Sequence, residues 1–463
     1  MLTVYGTEGR TRREFLRIGT SSVGGLTLSG LLAAQAAAGI RGAHLHDRSV
    51  VVLNMQGGPT QYETFDPKMT APAEIRSITG ELQTSLAGET FGGTFPMLAG
   101  LADRLAVVRS YRHGISSHGT AAMHVMAGGN PTGAMMGALF ARVAGLTNPA
   151  TGLPQNVVVT SQAIGDQHKG LYRNTDRVSQ NGTLSRAYRP FDPSAGGEVI
   201  DNMKLQIEGG RLDDRRGLLS GLDRLRRNAD VSGQLDSADR FQQQAFDVLS
   251  RGAGDAFDLS QEDPATIRRY DTSMCKPTAA AIKRNSYATQ FSPVALGHQM
   301  LMARRMCEAG CGFVTVTAPG WDMHGGGKEF TMADGIAQLT PAVDKAVSAF
   351  MEDVEQRGLS ERILLVMTGE FGRTPRINKN GGRDHWGNQC TLAFAGGGLR
   401  MGQVIGRSDR IGGEPASTPI TSSNVLATVM HSLFDIGELR LQTGVSKEIE
   451  QIITTGQPIP ELF

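Results

Sequence analysis

Five short stretches hold most of the residues able to do chemistry, and each is rich in glycine. The first is Gly57-Gly58-Pro59-Thr60 running on to Glu63 and Asp66. Two glycines let a backbone turn tightly beside a ligand, and the two acids offer hard oxygen donors. The same stretch also reads as a Gly-Pro turn with solvated acids. The second is Ser116-Ser117-His118-Gly119-Thr120, closed by Gly128-Gly129. Ser116 and Ser117 suit a helix N-cap. They also suit a nucleophile or anion site, because a helix N-terminus offers free N–H groups and a favourable dipole. His118 and His124 add candidate ligands, although six residues apart they do not share one helix face.

The third stretch is Gly320-Trp321-Asp322-Met323-His324-Gly325-Gly326-Gly327. In an extended loop Asp322 and His324 can point the same way. An aspartate and a histidine beside a glycine run can bind a divalent cation. The fourth, Gly369-Glu370-Phe371-Gly372-Arg373-Thr374-Pro375, is followed closely by Gly382-Arg383-Asp384-His385-Trp386. Glu370, Asp384 and His385 are further candidate ligands. Arg373 and Arg383 are planar forks that fit a phosphate or sulfate, or else members of a structural arginine–carboxylate network.

Something must hold these stretches together. Buried strands are expected at Val50–Met55, Leu105–Val108, Asn156–Thr160, Phe313–Val316, Ile363–Met367 and Thr391–Ala395, where apolar, β-branched runs show little polar alternation. Helical periodicity marks Gly119–Met126, Val294–Glu308 and Ala337–Gln356. The alternation predicts an α/β three-layer sandwich around a mostly parallel sheet, and in such sheets ligands gather beyond the carboxyl ends of the strands. The polar, charged stretch at about 196–286 reads as a helical insertion with a solvated face.

At the N-terminus, Thr11-Arg12-Arg13-Glu14-Phe15-Leu16 precedes a weakly apolar run that ends in small residues near Ala38. Residues 1–40 read as a twin-arginine signal, with 41–463 as the working domain in the periplasm or outside the cell. The Tat translocase is then a partner during export. No stable membrane span is expected after cleavage, since no other stretch is long and apolar enough. With 46 basic and 45 acidic residues, a net charge of +1 points to no nucleic-acid partner. The four cysteines form no thiolate metal pattern.

Taken together, the signal and the motifs around Gly57-Gly58-Pro59-Thr60, Asp322, Glu370 and Arg383-Asp384-His385-Trp386 resemble the DUF1501 family over essentially the whole mature chain. That family is similar in turn to the alkaline phosphatase and sulfatase superfamily. The resemblance implies one or two divalent ions (zinc, manganese or calcium) at the carboxyl end of a parallel sheet. It implies Asp322 and His324 as a first ligand pair, with tighter spacing than usual, and His385 as a final ligand. Glu370 stands where the aspartate of a second pair is expected, and Phe371 replaces that pair's histidine. Asn54 stands on the first strand where an acid is expected, and His118 occupies the nucleophile position. Asn424–Phe434 resembles the helix that follows the site.

The expected function is therefore an exported metal-dependent hydrolase of small-molecule or polysaccharide sulfate or phosphate esters. Asp322, His324 and His385 hold the metal, helped by Glu370, Asp384 or Glu63, and Arg373 and Arg383 grip the oxyanion. Either Ser116 or Ser117 attacks, or an activated water does with His118 as acid or base. The other class is a non-catalytic exported protein that binds an anion or a metal on the same fold.

Overall fold

Runs of Val, Ile and Leu without polar alternation can be covered on both faces. The computed structural model describes residues 42, 44–194, 253–285, 287–326 and 329–463, and it places all six expected runs in one sheet. The strands in chain order are β1 (Ser49–Asn54), β2 (Glu81–Gln83), β3 (Thr90–Gly92), β4 (Ala106–Val108), β5 (Asn156–Val159), β6 (Phe313–Thr317), β7 (Ile363–Thr368), β8 (Gly372–Arg373), β9 (His385–Trp386), β10 (Leu392–Gly396) and β11 (Gln403–Ile405). Seven of them form the central sheet, in the order β11-β4-β10-β7-β1-β6-β5. All are parallel except β10, which runs against both of its neighbours. β2 pairs with β3 and β8 with β9 in two small antiparallel ribbons.

The pleat sends alternate residues to opposite layers. On β1, Val51 and Leu53 join one apolar cluster and Val50 and Val52 the other. On the first face lie α1 (Pro96–Gly100), α4 (Leu296–Glu308) and α5 (Met332–Gln356). On the second lie α2 (His118–Ala127), α3 (Met136–Ala144), α6 (Ser422–Leu433) and α7 (Lys447–Thr454). The three-layer α/β sandwich is thus the observed architecture. Each fully buried Val or Leu of β1 contributes roughly 1.5–3 kcal/mol, so the middle of the sheet is a rigid base.

Register matters most for the site. Asn54 pairs with Thr317 on one side and Thr368 on the other, so β1, β6 and β7 end level. The loops that leave them start from one line.

Two differences from the sequence expectation have simple causes. The strand β11 was not expected because Gln403-Val404-Ile405 is short, begins with a glutamine and lies at the sheet edge. The helix α5 starts at Met332 rather than near Ala337, with Pro341 inside it. Thr331 caps it by accepting from the Asp334 N–H at 3.1 Å, and the long apolar face carries it past the proline.

The twin-arginine stretch, 1–40, and residues 196–252 of the expected insertion lie outside the described residues. The part of that insertion at 253–285 holds two short α-helices, Pro264–Arg269 and Ala279–Arg284. Among the described residues, no helix is long and apolar enough to cross a membrane. All four cysteines are free.

Candidate metal centre

The loops after β1, β4, β6 and β7 and the β8–β9 ribbon converge beyond the carboxyl ends of the strands, where the sandwich leaves backbone and side chains accessible. Glycine makes the convergence feasible. Gly57 and Gly58 adopt φ of +113° and +94°, a region that favours glycine. A Cβ on Gly57 would lie 2.5 Å from the Asp322 nitrogen, and one on Gly58 2.5 Å from the Phe371 ring. Gly382 packs as tightly on the backbone of His324. The β8–β9 ribbon pairs Arg373 with His385, which fixes that histidine across from the loop after β7.

Three imidazoles surround one carboxylate. Asp322 Oδ2 lies 3.1 Å from His118 Nε2. Its Oδ1 lies 3.0 Å from His324 Nε2 and 3.1 Å from His385 Nε2. The Nε2 atoms of His324 and His385 are 2.7 Å apart. Ligand atoms of His118, Asp322 and His385 all fall within 4.8 Å of one another, and His324 Nε2 adjoins that group through Asp322 and His385.

The opposite nitrogen of each ring faces an acceptor. His118 Nδ1 lies 2.8 Å from Glu370 Oε1, His324 Nδ1 2.9 Å from Asp384 Oδ1, and His385 Nδ1 2.9 Å from the Ser116 carbonyl oxygen. A carbonyl or carboxylate oxygen can only accept, so each Nδ1 carries its hydrogen and donates. In the neutral rings, each Nε2 then presents a lone pair to Asp322. Four electron-rich groups thus face one point, and the 2.7 Å pair can share at most one proton. The arrangement calls for positive charge at its centre. The outer partners are of the type that orients metal-bound histidines.

The ionisation of these groups carries the same message. Burial opposes a charge on His118, but its hydrogen bonds to Asp322 and Glu370 outweigh this and raise it to about 9. The hydrogen bond to Asp322 also raises His324. Burial alone would raise Asp322, yet three histidine hydrogen bonds and the charge of Arg373 bring it far below the ordinary carboxylate range. Without a cation these bonds favour the protonated rings of His118 and His324, and a divalent cation competes for the same lone pairs.

The structure gives several expected site residues other work. Glu370 is 1% exposed in its side chain and supports the site from behind. Its Oε2 accepts from the Gly57 N–H at 2.6 Å, and its Oε1 accepts from His118 and, at 3.1 Å, from Arg177. Asp384 is likewise behind His324, and Asn378 donates to it at 3.2 Å. Glu63 is fully buried and taken up by the hydroxyls of Ser77 and Thr79 and the N–H groups of Ile78 and Thr79, so it is not a ligand. Asp66 pairs with Lys68 and accepts from Ser408.

The two expected oxyanion grips are also corrected. Arg373 has no exposure and donates to the carbonyls of Gly57, Gly58, Trp321 and Arg383 and to Asp322 Oδ1 at 2.8 Å. Arg383, equally buried, donates to the carbonyls of Thr374, Pro375, Ile75 and Arg76, and its guanidinium lies over the Tyr62 ring. The Arg373 fork and both Arg383 Nη groups are taken up by protein acceptors, and the remaining Arg383 Nε is buried, so neither side chain is open to an anion. They knit the site loops together.

His118 reaches the centre as a candidate ligand, with both nitrogens engaged, rather than as a free acid or base. His124 does not reach it: six residues along a helix turn it by about 240°, and it lies against His113 instead. Ser116 contributes its carbonyl to His385, and its hydroxyl accepts from the Gly387 N–H at 3.1 Å. Ser117 is exposed at the N-cap of α2, and its side chain makes no capping bond.

Two participants were missed. Phe371, fully buried, forms a floor with ring centroids 4.3 Å from His385 and 5.0 Å from His118. Its place in the motif was visible in the sequence, but its packing role was not. Arg177, on the chain after β5, meets Glu370 across 193 residues, and no local motif marks it.

The sequence matches the model of a family described as protein of unknown function (DUF1501), over residues 47–462. No curated protein matches it. In backbone shape the chain is similar to the PsFucS1 sulfatase from Pseudoalteromonas sp., with 12% identity, a TM-score of 0.35, and 91% of this chain and 72% of that one covered. It is similar to the phosphonate monoester hydrolase SpPMH from Silicibacter pomeroyi, with 10% identity, a TM-score of 0.35, and 89% and 77% covered. A third similar structure is the lipoteichoic acid synthase LtaP from Listeria monocytogenes, with 8% identity, a TM-score of 0.33, and 92% and 82% covered.

Proposed function

The chain belongs to the DUF1501 family, and we propose that it is an exported metal-dependent hydrolase of sulfate or phosphate esters. The observation that carries this reading is the convergence of three Nε2 lone pairs and the Asp322 carboxylate, each ring locked from behind by an acceptor on Nδ1. His118, Asp322, His324 and His385 would hold one divalent cation. Three nitrogens and one oxygen suit zinc or manganese. They do not suit calcium, which takes six to eight oxygen ligands. With Phe371 packed against two of the rings, a second ion has no histidine there to bind it. When bound, the cation supplies Lewis-acid polarisation of the ester oxygens.

The chain's own residues do the rest. Glu370, Asp384 and the Ser116 carbonyl hold the rings in one tautomer. Arg373 holds Asp322 in place and balances its charge. Ser117 stands next to His118, exposed at the start of a ten-residue helix, whose free N–H groups and dipole favour an anionic ester. In this reading its hydroxyl is the attacking group, with water the other nucleophile. The twin-arginine stretch supports a location outside the cytoplasm, with a soluble or polysaccharide ester as substrate.

The test is turnover of aryl sulfates and aryl phosphates by the purified mature chain, before and after chelation. Hydrolysis that stops with chelator and returns with zinc or manganese is expected. Serine attack adds a burst of alcohol release that is lost in Ser117→Ala, whereas attack by water leaves that variant active. A metal-loaded chain without turnover on either ester class would overturn the enzymatic reading in favour of a binding protein.

A further inference from the structure

With Arg373 and Arg383 both buried, neither offers a free cationic fork to a substrate. Arg177 fills that gap. Its side chain is 32% exposed, whereas its partner Glu370 is 1% exposed. Among the described residues its guanidinium makes one polar contact, from Nη1 to Glu370 Oε1 at 3.1 Å. The remaining N–H groups have no protein acceptor there.

The anchor point is informative. Glu370 Oε1 is the same atom that accepts from His118 Nδ1, so the guanidinium and the His118 ring are neighbours on one carboxylate oxygen. Glu370 is in turn fixed by the Gly57 N–H. An arginine anchored through one Nη by a buried carboxylate leaves its Nε and other Nη for a second, bidentate acceptor. The same loop offers a contrast. Arg173 pairs with Asp192 and has no contact with the Glu370–His118 group.

We propose that Arg177 is the residue that grips the substrate's tetrahedral oxyanion, a sulfate or phosphate group, beside the cation held by His118 and Asp322. This rests on the metal-hydrolase reading, and it assigns to Arg177 the role that sequence assigned to Arg373 and Arg383.

The experiment is isothermal titration calorimetry of the full exported chain with inorganic phosphate and, separately, with sulfate, after its metal content has been measured. Wild type, Arg177→Gln, Arg177→Lys and Arg173→Gln are compared. Arg177→Gln should weaken anion binding at least about tenfold, in line with the loss of one charge-assisted pair. Its metal content and melting temperature should stay at the wild-type level. Arg177→Lys should recover part of the affinity, and Arg173→Gln should bind like wild type. Anion affinity in Arg177→Gln within twofold of wild type overturns the assignment, as does a wild-type chain that holds metal but binds neither anion. Loss of metal from Arg177→Gln overturns it too, because Arg177 would then act only through Glu370. A wild-type chain without metal defeats the hydrolase reading itself, separately from the role of Arg177.

Discussion

Replacing Glu370 by glutamine probes the site without touching a ligand. The carboxylate accepts from three donors: the Gly57 N–H at 2.6 Å, His118 Nδ1 at 2.8 Å and Arg177 Nη1 at 3.1 Å. A glutamine has nearly the same shape but turns one oxygen into an NH2 group. If that group faces Gly57, two donors meet in a buried contact. If it faces His118, relief comes from moving the ring hydrogen from Nδ1 to Nε2, which removes a lone pair from the centre. Either outcome weakens the site. Loss of an outer-shell partner of this kind typically lowers metal affinity 10- to 100-fold, about 1.4–2.7 kcal/mol. Zinc affinity of Glu370→Gln, measured by competition with a chromophoric chelator, should fall within that range. An affinity within twofold of wild type, in a variant that folds normally, would show that Glu370 does not set the His118 tautomer.

Three other outcomes follow from the same packing. Arg373→Met leaves four buried carbonyls and Asp322 without their donor. Urea denaturation should show a loss of more than about 3 kcal/mol, and a loss below about 1 kcal/mol would contradict its structural role. Gly58→Ala places a methyl group 2.5 Å from the Phe371 ring at a φ of +94°. It should lower both stability and zinc affinity, because Phe371 is the floor under His118 and His385. Asp344 lies within α5 and accepts from the N–H groups of Met97 and Leu98. Burial outweighs those bonds and raises it to about 6, above its unfolded value of about 3.9. The folded state therefore binds more protons between about pH 4 and pH 6, and this residue's contribution to stability declines as pH rises through that window. Asp344→Asn should lack that decline, so the stability difference between wild type and variant should change with pH across that window, and a pH-independent difference would refute the assignment.

The framework was legible because burial on both faces leaves a local mark. All six expected strands consist of aliphatic runs that need no knowledge of their neighbours. The edge strand β11 escaped because it needs little burial and carries a glutamine. At the site, residue type and position after a strand found His118, Asp322, His324 and His385. What sequence could not tell apart was which groups face the centre and which stand behind it. Arg373 and Arg383 read as anion forks, yet apart from Asp322 their acceptors are main-chain carbonyls, most of them brought from other loops. Glu63 reads as a hard ligand until Ser77 and Thr79 fold over it. Arg177 had no pattern to reveal it, since its meaning comes from a contact with Glu370 made only in the folded chain.

The most direct measurement is the metal content of the purified protein by inductively coupled plasma mass spectrometry, in wild type and in His118→Ala with Asp322→Ala. About one zinc or manganese ion per wild-type chain, lost from the double variant, is the expected result. A wild-type chain that carries no divalent metal and takes up neither zinc nor manganese on titration would contradict the central claim, as would a double variant that keeps its metal.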